Sequence, residues 1–141
     1  MIRLATDTDL QAIARTMVSL QSRTMLARHP EYVSSEMDIM KWLITKMLQT
    51  RTGIFVKEAT QGISAIVGVS YYSMDIPPHL TILDEWCLWG ETARDVAQVW
   101  KEAKTWGVAR GALFAKRTVL EARREIVTWE ELHHGIRRQR Q

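Results

Sequence analysis

Residues 80–112 read LTILDEWCLWGETARDVAQVWKEAKTWGVARGA. Apolar side chains alternate loosely over Leu80–Trp89, with Leu80, Ile82, Trp86 and Leu88 on one side, and then recur at helical spacing from Thr92 to Arg110. This change of period predicts a strand, a very tight turn at Gly90-Glu91 and an amphipathic helix. A strand that leads straight into a helix offers an anion site, because the first N–H groups of the helix lack partners and the helix dipole is positive there.

The turn itself has little of the chemistry that a phosphate site needs. Phosphate-binding turns of this kind contain several glycines and a basic residue, whereas here a single glycine, Gly90, is followed by the acidic Glu91. A carboxylate beside a phosphate is unfavourable by about 1 kcal/mol or more at a surface dielectric. Arg94 and the first helical N–H groups could still hold an anion. Alternatively, Thr92 is an ordinary helix cap and Arg94 is a solvated surface charge.

Composition and length bound the class of protein. With 141 residues, 46% apolar and 25% charged, the chain is typical of one soluble globular domain. The single cysteine, Cys87, excludes an internal disulfide, and its position between Trp86 and Leu88 predicts a core thiol. No apolar run approaches the roughly 20 residues of a membrane span. The first residues lack the apolar core of a signal peptide, so we expect no membrane segment and no export.

The formal net charge of +3 is unevenly distributed. Residues 1–115 are neutral overall, and the whole excess lies in residues 116–141. We therefore divide the chain into a domain over residues 1–120 and a basic C-terminal extension over residues 121–141. A basic end favours weak contact with nucleic acid, although a solvated tail is the alternative. His133-His134 has no cysteine or acidic ligand at metal spacing, so we predict no metal site.

The rest of the chain also predicts alternating helices and strands. Asp7 and Ser35 are candidate caps of two helices, Gly53 is expected to stop the second helix, and Gly68 indicates a bend or bulge in a long strand. Glu121–Leu132 fits a helix or a strand. The other predicted strands are Ile2–Ala5, Ile54–Ala59, Ile63–Met74 and Ala112–Leu120.

This order of elements resembles the GNAT superfamily of N-acetyltransferases. Three stretches carry the resemblance: IRLATDTDLQAI (2–13), GIFVKEA (53–59) with IVGV (66–69), and AKTWGVARGA (103–112). The resemblance implies an α/β fold, a single GNAT-like domain with a central, mostly antiparallel mixed sheet flanked by helices. It also implies that any cofactor is acetyl-CoA.

The resemblance assigns roles to particular residues. Family members often carry a glutamate on the fourth strand as general base, which implies this role for Glu85, with its neighbour Asp84 as the second candidate. A structural ion pair or hydrogen bond is the alternative for both. The acetyl-CoA diphosphate would have to contact Gly90, Thr92, Ala93 and Arg94. Two departures weaken catalysis: the glycine-rich loop is missing, and no tyrosine follows Tyr72 to act as the family's general acid.

In size, in its turn without a glycine loop and in its basic C-terminus, the chain resembles degenerate GNAT-like proteins of tailed bacteriophages, some of which are virion components. This resemblance implies a non-catalytic structural or assembly protein in the virion or the host cytoplasm, without a cofactor, in a homo- or hetero-oligomer with other virion or assembly proteins. The alternative is an active enzyme that moves acetyl from acetyl-CoA to an amine. A nucleic-acid-binding module is a third possibility. Four tryptophans are expected to pack in the core, with one or two filling the cofactor space or meeting a partner: Trp86, Trp89, Trp100 and Trp106.

Overall fold

The computed structural model describes residues 1–21, 31, 33–75, 79–121 and 124–132. Six strands form one sheet whose spatial order, β1 to β6, is the order of the chain. All neighbours are antiparallel except β4 and β5, which are parallel. The strands are β1 (Ile2–Leu4), β2 (Thr52–Ala59), β3 (Gly62–Ser73), β4 (Thr81–Gly90), β5 (Phe114–Glu121) and β6 (Arg124–Glu131), and the helices are α1 (Leu10–Gln21), α2 (Glu36–Met47) and α3 (Ala93–Ala109). The mixed, mostly antiparallel α/β sheet that we predicted is confirmed.

Helices cover the sheet on both faces, and each face has its own core. On one face, α1 and α2 pack through Ile13 and Leu43 against β2 and β3. On the other face, α3 packs through Val99 and Ala103. Each core is apolar, because alternate residues of each strand supply apolar side chains to opposite faces.

One of the two helix caps that we predicted for the first two helices is present and the other is not. Ser35 caps α2 as predicted, accepting a hydrogen bond from the N–H of Asp38. The assignment of Asp7 as a cap is wrong, because Thr6 precedes a short 3-10 turn and the carboxylate of Asp9 accepts from the N–H of Thr6. Asp9 is held there by a 2.7 Å ion pair with Arg3.

Gly53 does not stop α2, contrary to our prediction. The helix ends at Met47, and Gly53 lies inside β2 opposite Val69. A Cβ atom at Gly53 would lie 3.0 Å from the indole ring of Trp106. The glycine is therefore needed for close packing within the sheet and not for a helix terminus.

The irregularity predicted near Gly68 is present, but the extra residue belongs to the neighbouring strand. Gly68 pairs with Cys87 and Val69 with Glu85, so Trp86 is the bulged residue of β4. The bulge places two successive side chains, Trp86 and Cys87, in the same core. Leu88 consequently lies in the opposite core, and our expectation that Trp86 and Leu88 share a side is wrong.

Beyond α3 the chain forms a hairpin of β5 and β6, so the helix alternative for Glu121–Leu132 is excluded where the structure describes it. β6 therefore comes from the C-terminal extension and pairs with β5 in register from Phe114 to Glu121. His133-His134 and the remaining residues of the extension lie outside the described residues. Within the described part, none of the helices is both long and apolar enough to span a bilayer.

Candidate functional site

The two parallel strands of the sheet separate part-way along their length. Their ladder consists of Ile82–Phe114, Leu83–Ala115 and Asp84–Lys116. Beyond these three pairs, β4 continues to Gly90 beside β3, and β5 continues to Glu121 beside β6. A gap therefore opens between β4 and β5, and we call it the strand gap. It begins at Asp84, where our two candidate carboxylates lie.

Glu85 lies at the start of the strand gap, on the same sheet face as α3. Burial raises the pKa of Glu85 to about 7, because the charged form loses its hydration. The positive charge of Arg117 and the main-chain N–H of Thr118 oppose this increase, and the nearby Asp84 adds to it. A half-protonated carboxyl near neutral pH is suited to accept and return a proton.

Asp84 lies on the other face, as expected for consecutive residues of a strand. Burial raises the pKa of Asp84, whereas the positive charges of Lys116 on β5 and Lys46 at the end of α2 lower it. The two carboxylates therefore have different environments and do not form one site. Glu85 belongs to the strand gap, and Asp84 belongs to the surface between α2 and β5.

The turn that should hold a diphosphate is already occupied by internal hydrogen bonds. The N–H of Glu91 donates to the carbonyl of Ser64 at 2.9 Å. Thr92 caps α3, accepting from the N–H of Asp95 at 3.1 Å. A Cβ atom at Gly90 would lie 2.8 Å from Val96, so the turn lies directly on the helix and cannot wrap an anion.

Two N–H groups remain for an anion at the start of α3. In the described part of the chain, no hydrogen bond uses the N–H of Ala93 or Arg94, and both residues are exposed. The candidates Gly90, Thr92, Ala93 and Arg94 are therefore adjacent, but they offer two free donors and one exposed guanidinium. The exposed carboxylate of Glu91 lies beside them.

A second acidic group near this turn, Asp95, lies in the first turn of α3. Its carboxylate accepts from Lys57 of β2 at 2.6 Å, and the same ammonium reaches Gln98 at 2.5 Å. The hydrogen bond and charge of Lys57 lower the pKa of Asp95. Lys57 is thus committed to side chains of the protein and is not available to a phosphate.

Arg117 is the residue of the strand gap that sequence reasoning missed. Its guanidinium carbon lies 5.4 Å from the ring centre of Trp100, and its charge acts on Glu85. Its Nε is the one buried side-chain nitrogen or oxygen without a hydrogen-bond partner in the described residues. The sequence signal was only a basic residue within an uncertain strand, and nothing in it indicated that the side chain turns inward.

The core packing that we expected for four tryptophans is confirmed. All four that we assigned to the core are buried or half-buried, and Trp100 is only 8% exposed. The exposed ones are Trp42 on α2 (40%) and Trp129 on β6 (55%). Cys87 is buried, as predicted, and burial raises the pKa of its thiol to about 12. The described residues contain no cluster of metal-binding side chains.

Comparison with known proteins identifies the architecture. No protein-family model and no curated protein sequence matches the chain. Among solved structures, an acetyltransferase from Vibrio fischeri matches with a TM-score of 0.65 at 11% identity, over 83% of this chain and 93% of that one. A ribosomal-protein-alanine N-acetyltransferase from Brucella melitensis gives 0.62 at 17%, over 84% and 74%. A predicted acetyltransferase with acetyl-CoA from Clostridium acetobutylicum gives 0.62 at 9%, over 86% and 81%.

Sequence identities this low carry information about fold only. TM-scores of 0.62 to 0.65 over more than four fifths of this chain show a shared overall fold. They do not decide whether this chain catalyses acetyl transfer. On the geometry and the comparisons together, the chain has the fold of the GNAT acetyltransferases.

Proposed function

We propose that this protein is a GNAT-fold protein that has lost acetyl-CoA catalysis and acts as a structural or assembly component of a tailed bacteriophage particle. The observation that carries the loss of catalysis is the closed turn after β4. A diphosphate needs several converging donors, and here the N–H of Glu91 is taken by Ser64 while Gly90 is packed against Val96. The assignment to a phage particle rests on the resemblance in size, turn and basic C-terminus.

The surface supports an assembly role. Trp129 and Val127 of β6 are about half exposed, and so is Trp42 of α2. Large aromatic side chains that remain accessible are frequent at protein interfaces, where they contribute much of the binding energy. Lysines lie over both exposed indoles, at 5.3 Å for Lys46 and 6.0 Å for Lys116, so the surface is aromatic and basic together.

Two measurements test this proposal. Calorimetry with acetyl-CoA should show no binding and no thermal shift above a degree, with an acetyl-CoA-binding GNAT enzyme as positive control. Quantitative mass spectrometry of purified phage particles from the native source should find the chain at a fixed copy number. Micromolar acetyl-CoA binding would contradict the loss of cofactor chemistry, and absence from purified particles would contradict the virion role.

Acetyl transfer to an amine is the second candidate, and Glu85 is the observation that favours it. A buried carboxyl with a pKa near 7 at the strand gap has the properties of a general base. In this case Glu85 would take the proton of the attacking amine, and Gly90, Thr92, Ala93 and Arg94 would hold a reduced diphosphate contact. Release of coenzyme A with an amine panel, abolished by Glu85→Gln and retained by Asp84→Asn, would establish this activity.

A further inference from the structure

In the described residues the strand gap has two edges without ladder partners, apart from the N–H of Thr118, which donates to the carboxylate of Glu85. From residue 86 onward, β4 has ladder partners only on β3, and from residue 118 onward, β5 has ladder partners only on β6. Free strand edges bind extended chains, because main-chain donors and acceptors then pair as in a sheet. A ligand between these edges can pair on both of its sides, and a polypeptide has donors and acceptors on both.

Arg117 indicates what such a segment would carry at its inner end. Its buried Nε has no partner in the described part of the chain, and it forms no direct ion pair there. Trp100 supports the guanidinium from one side. A buried guanidinium nitrogen without a partner is costly, and a carboxylate is the acceptor that a guanidinium binds best.

The closed turn after β4 indicates that a ligand of the strand gap has no phosphate at that end. Glu91 and Asp95 bring two carboxylates to the start of α3, and Lys57 is committed to Asp95. A ligand with a diphosphate at that end would be repelled. An extended segment that carries no negative charge at that end avoids this repulsion.

We propose that the strand gap binds an extended polypeptide segment of a partner protein, which adds a strand between β4 and β5 and places one carboxylate on Arg117. This inference rests on the proposed function, since it assigns the partner contact of an assembly protein to the strand gap. The segment pairs through its backbone with both strand edges. It needs no phosphate and no cofactor.

The first test uses the free protein. Hydrogen exchange should be fast for the amides of β4 that face the gap and slow for those of the β2–β3 ladder. Slow exchange along both gap edges would mean that the edges are already satisfied and would overturn the proposal.

The second test uses a peptide probe, acetyl-Lys-Thr-Val-Glu-Val-Thr-Lys-amide, followed by NMR chemical shifts. The peptide should perturb and protect residues 86–90 and 118–121. The same peptide with alternate amide nitrogens methylated lacks one row of donors and should bind at least about tenfold more weakly. No perturbation at millimolar peptide, or equal binding of the methylated peptide, would overturn the proposal.

Arg117→Met tests the carboxylate contact. It should reduce binding of the glutamate peptide about tenfold and leave binding of a glutamine version unchanged. Arg110→Met is the matched control, because Arg110 also lies over an indole, that of Trp106 at 4.2 Å, but outside the gap. Pantetheine is the competing probe. If pantetheine perturbed the gap and the peptide did not, the peptide proposal would be wrong while the loss of diphosphate binding would stand.

Discussion

Gly68→Ala tests whether the bulge in β4 depends on an absent side chain. A Cβ at Gly68 would lie 2.4 to 2.6 Å from three ring carbons of Trp86, whereas carbon atoms in contact are about 3.5–4.0 Å apart. The ring would have to move by more than an ångström. Trp86 is held by a 3.2 Å hydrogen bond to Ser70 and by an edge contact with Trp42 at 4.9 Å.

The expected loss of stability follows from the contacts that the ring of Trp86 would lose. Overpacking costs about 1–3 kcal/mol, and the hydrogen bond and the aromatic pair each contribute about 1 kcal/mol. We expect Gly68→Ala to lower the free energy of unfolding by about 3 kcal/mol. Urea unfolding followed by circular dichroism measures this change without depending on tryptophan fluorescence.

A double-mutant cycle separates the clash from the other effects of alanine. In a Trp86→Ala background the ring is absent, so adding Gly68→Ala should cost less than about 0.5 kcal/mol. The coupling energy should then be about 2.5 kcal/mol. A single-mutant cost below about 0.5 kcal/mol, or the same cost in both backgrounds, would refute the reasoning that Gly68 exists to admit Trp86.

Three further predictions concern charge, packing and reactivity. Burial raises the pKa of Glu85 from 4.5 to about 7, so the folded protein keeps a proton that the unfolded chain releases. The free energy of unfolding should therefore fall by at most about 3 kcal/mol as the pH rises through this window. Glu85→Gln should remove this pH dependence in urea unfolding between pH 4.5 and 8, and an unchanged slope would contradict the prediction. Leu83 is fully buried, so Leu83→Ala should lower the free energy of unfolding by about 3 kcal/mol. Leu48→Ala, at an 81% exposed position, should lower it by almost nothing. Equal denaturation midpoints for the two variants would contradict this packing. Burial raises the pKa of the Cys87 thiol to about 12, so Ellman's reagent should react with it only after unfolding, and rapid labelling of the native protein would show that the strand opens.

The order of the elements could be predicted from the sequence because each has its own local signal. Ser35 and Thr92 cap their helices through side chains that need nothing beyond the next three residues. The tight, acidic turn after β4 could also be predicted, because it is formed by two adjacent residues, Gly90 and Glu91. Glycine gave the least reliable signal, because the packing role of Gly53 depends on Trp106, more than fifty residues away.

The site was predictable only in part, for a related reason. Glu85 was found from its place on the strand, but the strength of its pKa shift depends on burial under α3 and on Arg117. The sequence around Arg117 does not predict that this side chain faces the core. Its direction follows from the alternation of side chains along β5 beyond the last pair with β4. The bulge at Trp86, which changes the face on which the following side chains lie, could not be predicted from the sequence. It depends on the space that Gly68 leaves on the neighbouring strand.

Every strand of this sheet lies beside the strand that precedes it in the chain. The β2–β3–β4 meander and the β5–β6 hairpin therefore form between near neighbours in sequence, and only β1–β2 and β4–β5 require a helix to be crossed. Closing a short loop loses less chain entropy than closing a long one. Folding should accordingly nucleate in the central meander, and the parallel contact should be among the last to form. The separation of β4 from β5 thus lies between the meander and the hairpin, the two parts of the sheet that local contacts can form first.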